Sequence, residues 1–369
     1  MPLLCMLALV LLVPRPAAAE RYKLTFIPGS PEGQVLELMI HHLDPKRKVE
    51  EIQRFLQNHP KHEAVSYLLE WLQTYHAREN RHREVIDFGT RLLVLHPDDF
   101  DALWRCRKAA EALGDPAVIA VWQKRLLDLS ARMVKSQPPR DLDAATWAAN
   151  LELAKGLLAE QEYTIFRKAV DTASPREQAM RLEAFNSAYP ASEYVAKTYP
   201  YLLHAYQSLG DPNKVLAVSD RLLRQDPDNV AALLATAQIF MDRRTNYPKV
   251  IASATRIIEL VSAAKPDSDL EQNKAHYLGS ANLLLGNAYV NTNAFPAADK
   301  ALRAALPYLK GTGQTEAAVL FYLGWSNYHM ERYREATAYF KACLPHGGAY
   351  AEQATRNLTA MRNERRITE

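Results

Sequence analysis

The chain has 369 residues, of which 48% are hydrophobic, 24% charged and 9% aromatic, with 13 Gly, 21 Pro and 3 Cys. That composition builds a sizeable ordered core and excludes glycine-rich low-complexity and disordered chains. A balance of 45 Lys+Arg against 42 Asp+Glu, with no long run of one sign, leaves no electrostatic footprint for nucleic acid or an anionic membrane.

Leu3 to Val13 form an apolar run, followed by Pro14-Arg15-Pro16 and Ala17-Ala18-Ala19-Glu20. This order of apolar core, helix breaker and A-x-A site is that of a secretory signal peptide, residues 1–19, cleaved after Ala19. The run is about half of the ~20 residues a spanning helix needs, so no transmembrane span is expected. One departure is that Met1 to Met6 carry no Lys or Arg. Export would place the protein in the periplasm or at the envelope of a bacterium. The alternative is an apolar N-terminal helix packed on the domain of a cytosolic chain.

From about Glu32 onward apolar residues recur at three- and four-residue spacing, without sustained alternation, which predicts an all-α chain. Asp44-Pro45, His59-Pro60, Gly114-Asp115-Pro116, Gly210-Asp211-Pro212 and Asp226-Pro227-Asp228 read as helix boundaries with Pro at or near the first helical position. Leu69 to Pro97 and Leu103 to Leu127 read as helix pairs in an N-terminal region, 20–137. Pro138-Pro139 open a divergent helical junction, 138–195, with two or three helices before Tyr189-Pro190. Seven of the 11 histidines, His41, His42, His59, His62, His76, His82 and His96, fall in the first hundred residues. They read as solvated side chains at helix ends and on polar faces.

The C-terminal region, 196–369, is self-similar. Leu202-Leu203-His204-Ala205-Tyr206 precedes Leu209-Gly210-Asp211, Val215 and Leu222-Leu223. Leu285-Gly286-Asn287-Ala288-Tyr289 precedes Phe295, Ala298 and Leu302, and Leu323-Gly324-Trp325 precedes Tyr333, Ala336 and Phe340. Ala231 to Leu260 adds a pair with an insertion around Arg243 to Asn246. Gly286 and Gly324 lie 38 residues apart. The chain thereby resembles the tetratricopeptide repeat family, whose unit of about 34 residues places a small residue on its first helix and alanine on its second. One such pair cannot bury its own apolar face, and stacking into a superhelical array of antiparallel helix pairs, an α-solenoid, does so. In that packing Gly286 is expected to face Ala298 and Gly324 to face Ala336, with Phe295, Phe340, Tyr289 and Leu344 closing around them.

Chemistry-bearing motifs are missing from the sequence. It has no G-x-x-x-x-G-K-[ST], no G-x-S-x-G and no H-E-x-x-H, and Gly311-Thr312-Gly313 reads as a loop without a following lysine. Cys106 and Cys343, on apolar faces far apart in sequence, read as buried structural thiols. No catalytic, cofactor-binding or metal-binding residue is therefore assigned. The resemblance implies that first helices line a concave face where a partner protein or peptide lies. Carried across, the partner-binding positions are Trp71, Trp104, Arg105 and Lys108 in the first half. In the second half they are Tyr201, His204, Asn287, Tyr322 and Trp325. Large rigid rings and guanidinium groups suit such contact. The leading expectation is a non-catalytic scaffold of the periplasm or cell envelope. Two alternatives stay open: a platform for an enzyme acting on envelope polymers, and a cytosolic co-chaperone-like adaptor.

Overall fold

The computed structural model describes residues 21–41 and 44–364, so the expected leader, 1–19, and His42 lie outside the described residues. Described residues are all-α, without a strand. Two compact units divide between Thr164 and Ile165, inside the 138–195 segment.

The first unit holds α1 (Pro31–His41), α2 (Pro45–Asn58), α3 (Val65–Arg78), α4 (His82–Leu95), α5 (Phe100–Leu113) and α6 (Pro116–Met133). It also holds most of the long helix α7 (Ala144–Val170). Local sequence sets these boundaries. The Asp44 side chain caps α2 by accepting from the Lys46 and Arg47 amides, and Asp115 caps α6 through Ala117 and Val118. Pro45 and Pro116 occupy first-turn positions, where a missing N–H leaves no bond unmade. Gly114 ends α5 with φ +73°, a left-handed conformation that glycine adopts without strain. Neighbours in sequence pack as neighbours in space, α3 on α4, α4 on α5 and α5 on α6, around a core that includes Leu36, Ile52, Leu72, Leu92, Cys106, Trp122 and Leu126.

The second unit runs through α8 (Pro175–Ala188), α9 (Tyr194–Ser208), α10 (Pro212–Gln225), α11 (Val230–Asp242) and α12 (Tyr247–Ser262). A single turn, α13 (Asp269–Gln272), leads into α14 (Lys274–Asn291), α15 (Phe295–Leu309), α16 (Gln314–His329), α17 (Tyr333–Cys343) and α18 (Gly348–Asn363). Pairs α9/α10, α11/α12, α14/α15 and α16/α17 stack in order, and α18 closes the end against α16 and α17. First helices also touch one another, α11 on α14, α14 on α16 and α16 on α18.

Glycine opens the close crossings, but against partners one turn beyond those expected. A Cβ on Gly286 would lie 2.5 Å from Leu302, and one on Gly324 would lie 2.6 Å from the Phe340 ring. Ala298 and Ala336 are fully buried, yet the larger side chains one turn on fill the space that the glycines leave. Leu344, expected in the same ridge, is exposed at the end of α17, and Phe295 instead stacks on His329 with ring centroids 4.4 Å apart. Cys106 and Cys343 are both free and buried, as read from sequence. Among the described residues no helix is long and apolar enough to cross a membrane.

Candidate functional site

The four first helices that touch in the second unit share one open face, and α11, α14, α16 and α18 line a groove there of about 760 Å³. Its floor is apolar, with Met241, Leu284, Val290 and Ala318. Its sides carry amides from Gln238, Asn287, Asn291, Gln353 and Asn357, and rings from Phe321, Tyr322, Trp325 and Tyr350. Two guanidinium groups, Arg244 and Arg356, and one carboxylate, Asp242, complete the lining. Carboxamides both donate and accept, so they match the alternating N–H and C=O of an extended backbone whatever its side chains.

The groove is built rather than incidental. The Asn291 amide donates to the Asn287 carboxamide oxygen at 2.8 Å, while Tyr247 donates to Asn291 at 3.3 Å. Burial, and then the nearby Tyr350, push the Tyr322 phenol above the ordinary tyrosine range, so it stays a neutral hydrogen-bonding group. The Tyr322 and Tyr350 rings meet edge to face at 5.8 Å. Trp325 stacks along Phe321 and packs on two core clusters, so it belongs to the groove wall and to the core at once.

Three of the residues assigned from sequence, Asn287, Tyr322 and Trp325, meet in this groove. Tyr201 and His204 lie on the exposed face of α9 and line neither cavity described here. Trp104, Arg105 and Lys108 line a smaller cavity of about 380 Å³ in the first unit, with Asn80 and His82. Lys108 and Arg107 both lie over the Trp104 ring, at 5.3 and 5.4 Å from its centroid. Trp71 is half-buried, stacked on Tyr75 at 5.3 Å under the Lys48 ammonium, and packs on the core.

The sequence reading missed the contribution of α18. Tyr350, Gln353 and Asn357 follow one another at spacings of three and four, the stripe of one helix face, in a segment beyond the last recognised repeat. It also misplaced one histidine. His76 is 2% exposed, its two ring nitrogens have no hydrogen-bond partner, and its ring stacks on Phe88 at 5.3 Å. Burial lowers its pKa below the ordinary histidine value, so it is a neutral core ring and not a solvated one. Other histidines do sit at helix ends: His41 ends α1, His82 opens α4, and His59 and His96 are C-caps.

Arg105 joins the small cavity to a buried acidic cluster. Its guanidinium donates to Gln73 at 3.0 Å and lies 3.7 Å from Glu70. Gln73 in turn donates to the Ala102 carbonyl at 3.0 Å and contacts Cys106 Sγ, where the absent side chain of Gly89 leaves room for both. Burial pushes the Cys106 thiol up to about 12 and the Glu70 carboxyl up to about 7, the latter helped by Asp99.

No protein-family model matches the chain, and a search of curated proteins finds no match. Among solved structures, similar chains include MamA RS-1 as an ArsTM double mutant, 16% identical over 51% of this chain and 93% of that one, TM-score 0.38. NprR in complex with its cognate peptide NprX is 14% identical over 90% of this chain and 82% of that one, TM-score 0.34. The TPR domain of P58(IPK) is 15% identical over 89% and 98%, TM-score 0.27. On its own geometry, with paired antiparallel helices, glycine at the crossings and first helices lining a groove, the chain is a tetratricopeptide-like α-solenoid.

Proposed function

We propose that this chain is a non-catalytic scaffold that holds an extended peptide segment of a partner protein in the groove between α11, α14, α16 and α18. The observation that carries the reading is the lining: five carboxamides, an apolar floor, and two guanidinium groups to a single carboxylate. Amides suit a peptide backbone, the floor suits apolar side chains, and Arg244 with Arg356 suit an acidic side chain or terminal carboxylate. A lining with the lone carboxylate Asp242 and no histidine suits holding better than general acid–base chemistry. The leader-like residues 1–19 support placing the scaffold in the bacterial periplasm or envelope.

The test is photocrosslinking from position 322 in intact cells, with mass spectrometry of the captured segment and of the protein's own N-terminus. A synthetic peptide of that segment is then titrated against the Asn287→Ala/Arg356→Ala variant. Loss of at least tenfold in affinity with unchanged helix content is expected, and unchanged affinity removes the groove assignment. A mature N-terminus at Glu20 supports export, and a retained Met1 overturns it.

A further inference from the structure

The first described residues form a strap rather than a helix. Along residues 21–27 burial alternates: Tyr22 is buried and Leu24 and Phe26 are half-buried, while Lys23, Thr25 and Ile27 are exposed. Leu24 and Phe26 pack on the core of the first unit. The Gly29 backbone then turns at φ +82°, and Ser30 opens α1 by accepting from the Gly33 amide at 2.9 Å.

The polar ends of the strap meet acids contributed by distant parts of the chain. Arg21 donates from Nε to Asp141 at 2.9 Å and from a terminal nitrogen to Asp98 at 3.2 Å, with its side chain 7% exposed. The Tyr22 hydroxyl donates to Asp99 at 3.0 Å, its amide to Glu70 at 3.5 Å, and its ring lies 4.4 Å from His96. Glu70, Asp99 and Asp101 are all under 9% exposed. Besides Arg21, the basic groups at this cluster are Arg105, against Glu70, and the His96 ring. Apart from the strap, therefore, the receptacle is acidic, with a slot for a phenol and shelves for alternate apolar side chains.

We propose that Glu70, Asp98, Asp99 and Asp141 form a second peptide-binding site, selective for an extended basic–aromatic segment, and that the chain's own Arg21–Ile27 strap occupies it. These contacts are ordinary ligand contacts: a guanidinium between two carboxylates, a hydroxyl on a third and a backbone amide on a fourth. None of them requires the covalent connection to α1. That connection supplies the strap at an effective concentration on the order of millimolar, so a free segment of the same kind competes weakly until the strap is loosened. The site is separate from the second-unit groove and stands whether or not that groove binds peptide.

The experiment uses the full chain and a fluorescein-labelled peptide with the sequence of residues 20–29, followed by fluorescence anisotropy. Arg21→Ala/Tyr22→Ala is expected to bind the peptide at least tenfold more tightly than the unaltered chain. A peptide with alanine in place of its Arg and Tyr should not bind, and Asp98→Asn/Asp141→Asn added to the loosened chain should abolish binding. Equal affinity of loosened and unaltered chains, with helical circular dichroism intact, overturns the proposal. Should the loosened chain unfold, a protease site inserted at Pro28–Gly29 and cut after folding frees the strap instead. Exchange of the cut strap for labelled peptide then supports the site, and failure to exchange overturns it. Concentration-dependent dimers of the unaltered chain would mean that a second copy donates the strap, which overturns occupancy within one molecule.

Discussion

His76 and Glu70 are buried titratable groups on one helix, α3, and they tilt stability in opposite directions with pH. Burial holds His76 below its ordinary value of 6.5, so the unfolded chain takes up a proton that the folded chain refuses as pH falls through about 6.5. Its contribution is therefore lost toward acid. Glu70 is raised from 4.5 to about 7 by burial and by Asp99, so its contribution is fully present below 4.5 and is lost as pH rises through about 7. Urea midpoints measured at pH 5, 6, 7 and 8 and compared with the unaltered chain should show His76→Phe gaining stability toward acid and Glu70→Gln gaining stability as pH rises toward about 7. Slopes identical to those of the unaltered chain would show that neither group differs between folded and unfolded states. Neither behaviour was legible in the sequence. A histidine at a helix C-terminus reads as solvated, and the burial of His76 against the Phe88 ring shows otherwise.

Between elements, the closest approaches occur where a glycine meets a large side chain. A methyl group at position 324 would sit 2.6 Å from the Phe340 ring, which is fully buried and has no room to withdraw. Gly324→Ala should therefore destabilise the second unit by about 1–3 kcal/mol, the usual cost of overpacking, despite alanine's higher helix propensity. Chemical denaturation measures this, and a stabilised variant would mean that α16 and α17 separate without cost. The glycine and the following aromatic were both visible in the repeat pattern, and the helix boundaries followed from Gly-Asp-Pro turns. The pairing was one turn off because periodicity fixes a face but not the height of a side chain along it. The strap was missed because Tyr22, Leu24 and Phe26 form an alternation too short to stand out. Its acidic receptacle is assembled from Glu70, Asp98, Asp99 and Asp141, which no local spacing connects.

At the scale of the whole molecule, each unit has its own core, and the five tryptophans divide unevenly between them. Trp71, Trp104, Trp122 and Trp147 lie in the first unit, and Trp325 lies in the second. In arrays whose repeats contact mainly their neighbours, stability is a sum of local terms, and separate parts can unfold separately. In a Trp325→Phe chain, fluorescence reports the first unit. Adding Gly324→Ala there should lower the midpoint seen by circular dichroism while leaving the fluorescence midpoint in place. Coincident shifts would show that the chain unfolds as one cooperative block. The array itself was legible from repeated apolar spacing, and so were Asn287, Tyr322 and Trp325 in the groove. Gln353 and Arg356 were not, because among the described residues no helix follows α18 to complete a recognisable repeat.

The reach of Arg21 to Asp141 spans 120 positions, whereas most helix contacts join immediate neighbours. Synthesis runs from the N-terminus at roughly 5–20 residues per second, so the last carboxylate of the receptacle is made on the order of ten seconds after the strap. Contacts of such separation also carry the largest loop-closure entropy in the unit. Helix pairs nearer each other in sequence close first, and the strap, made before every helix that it contacts, is among the last segments to be seated.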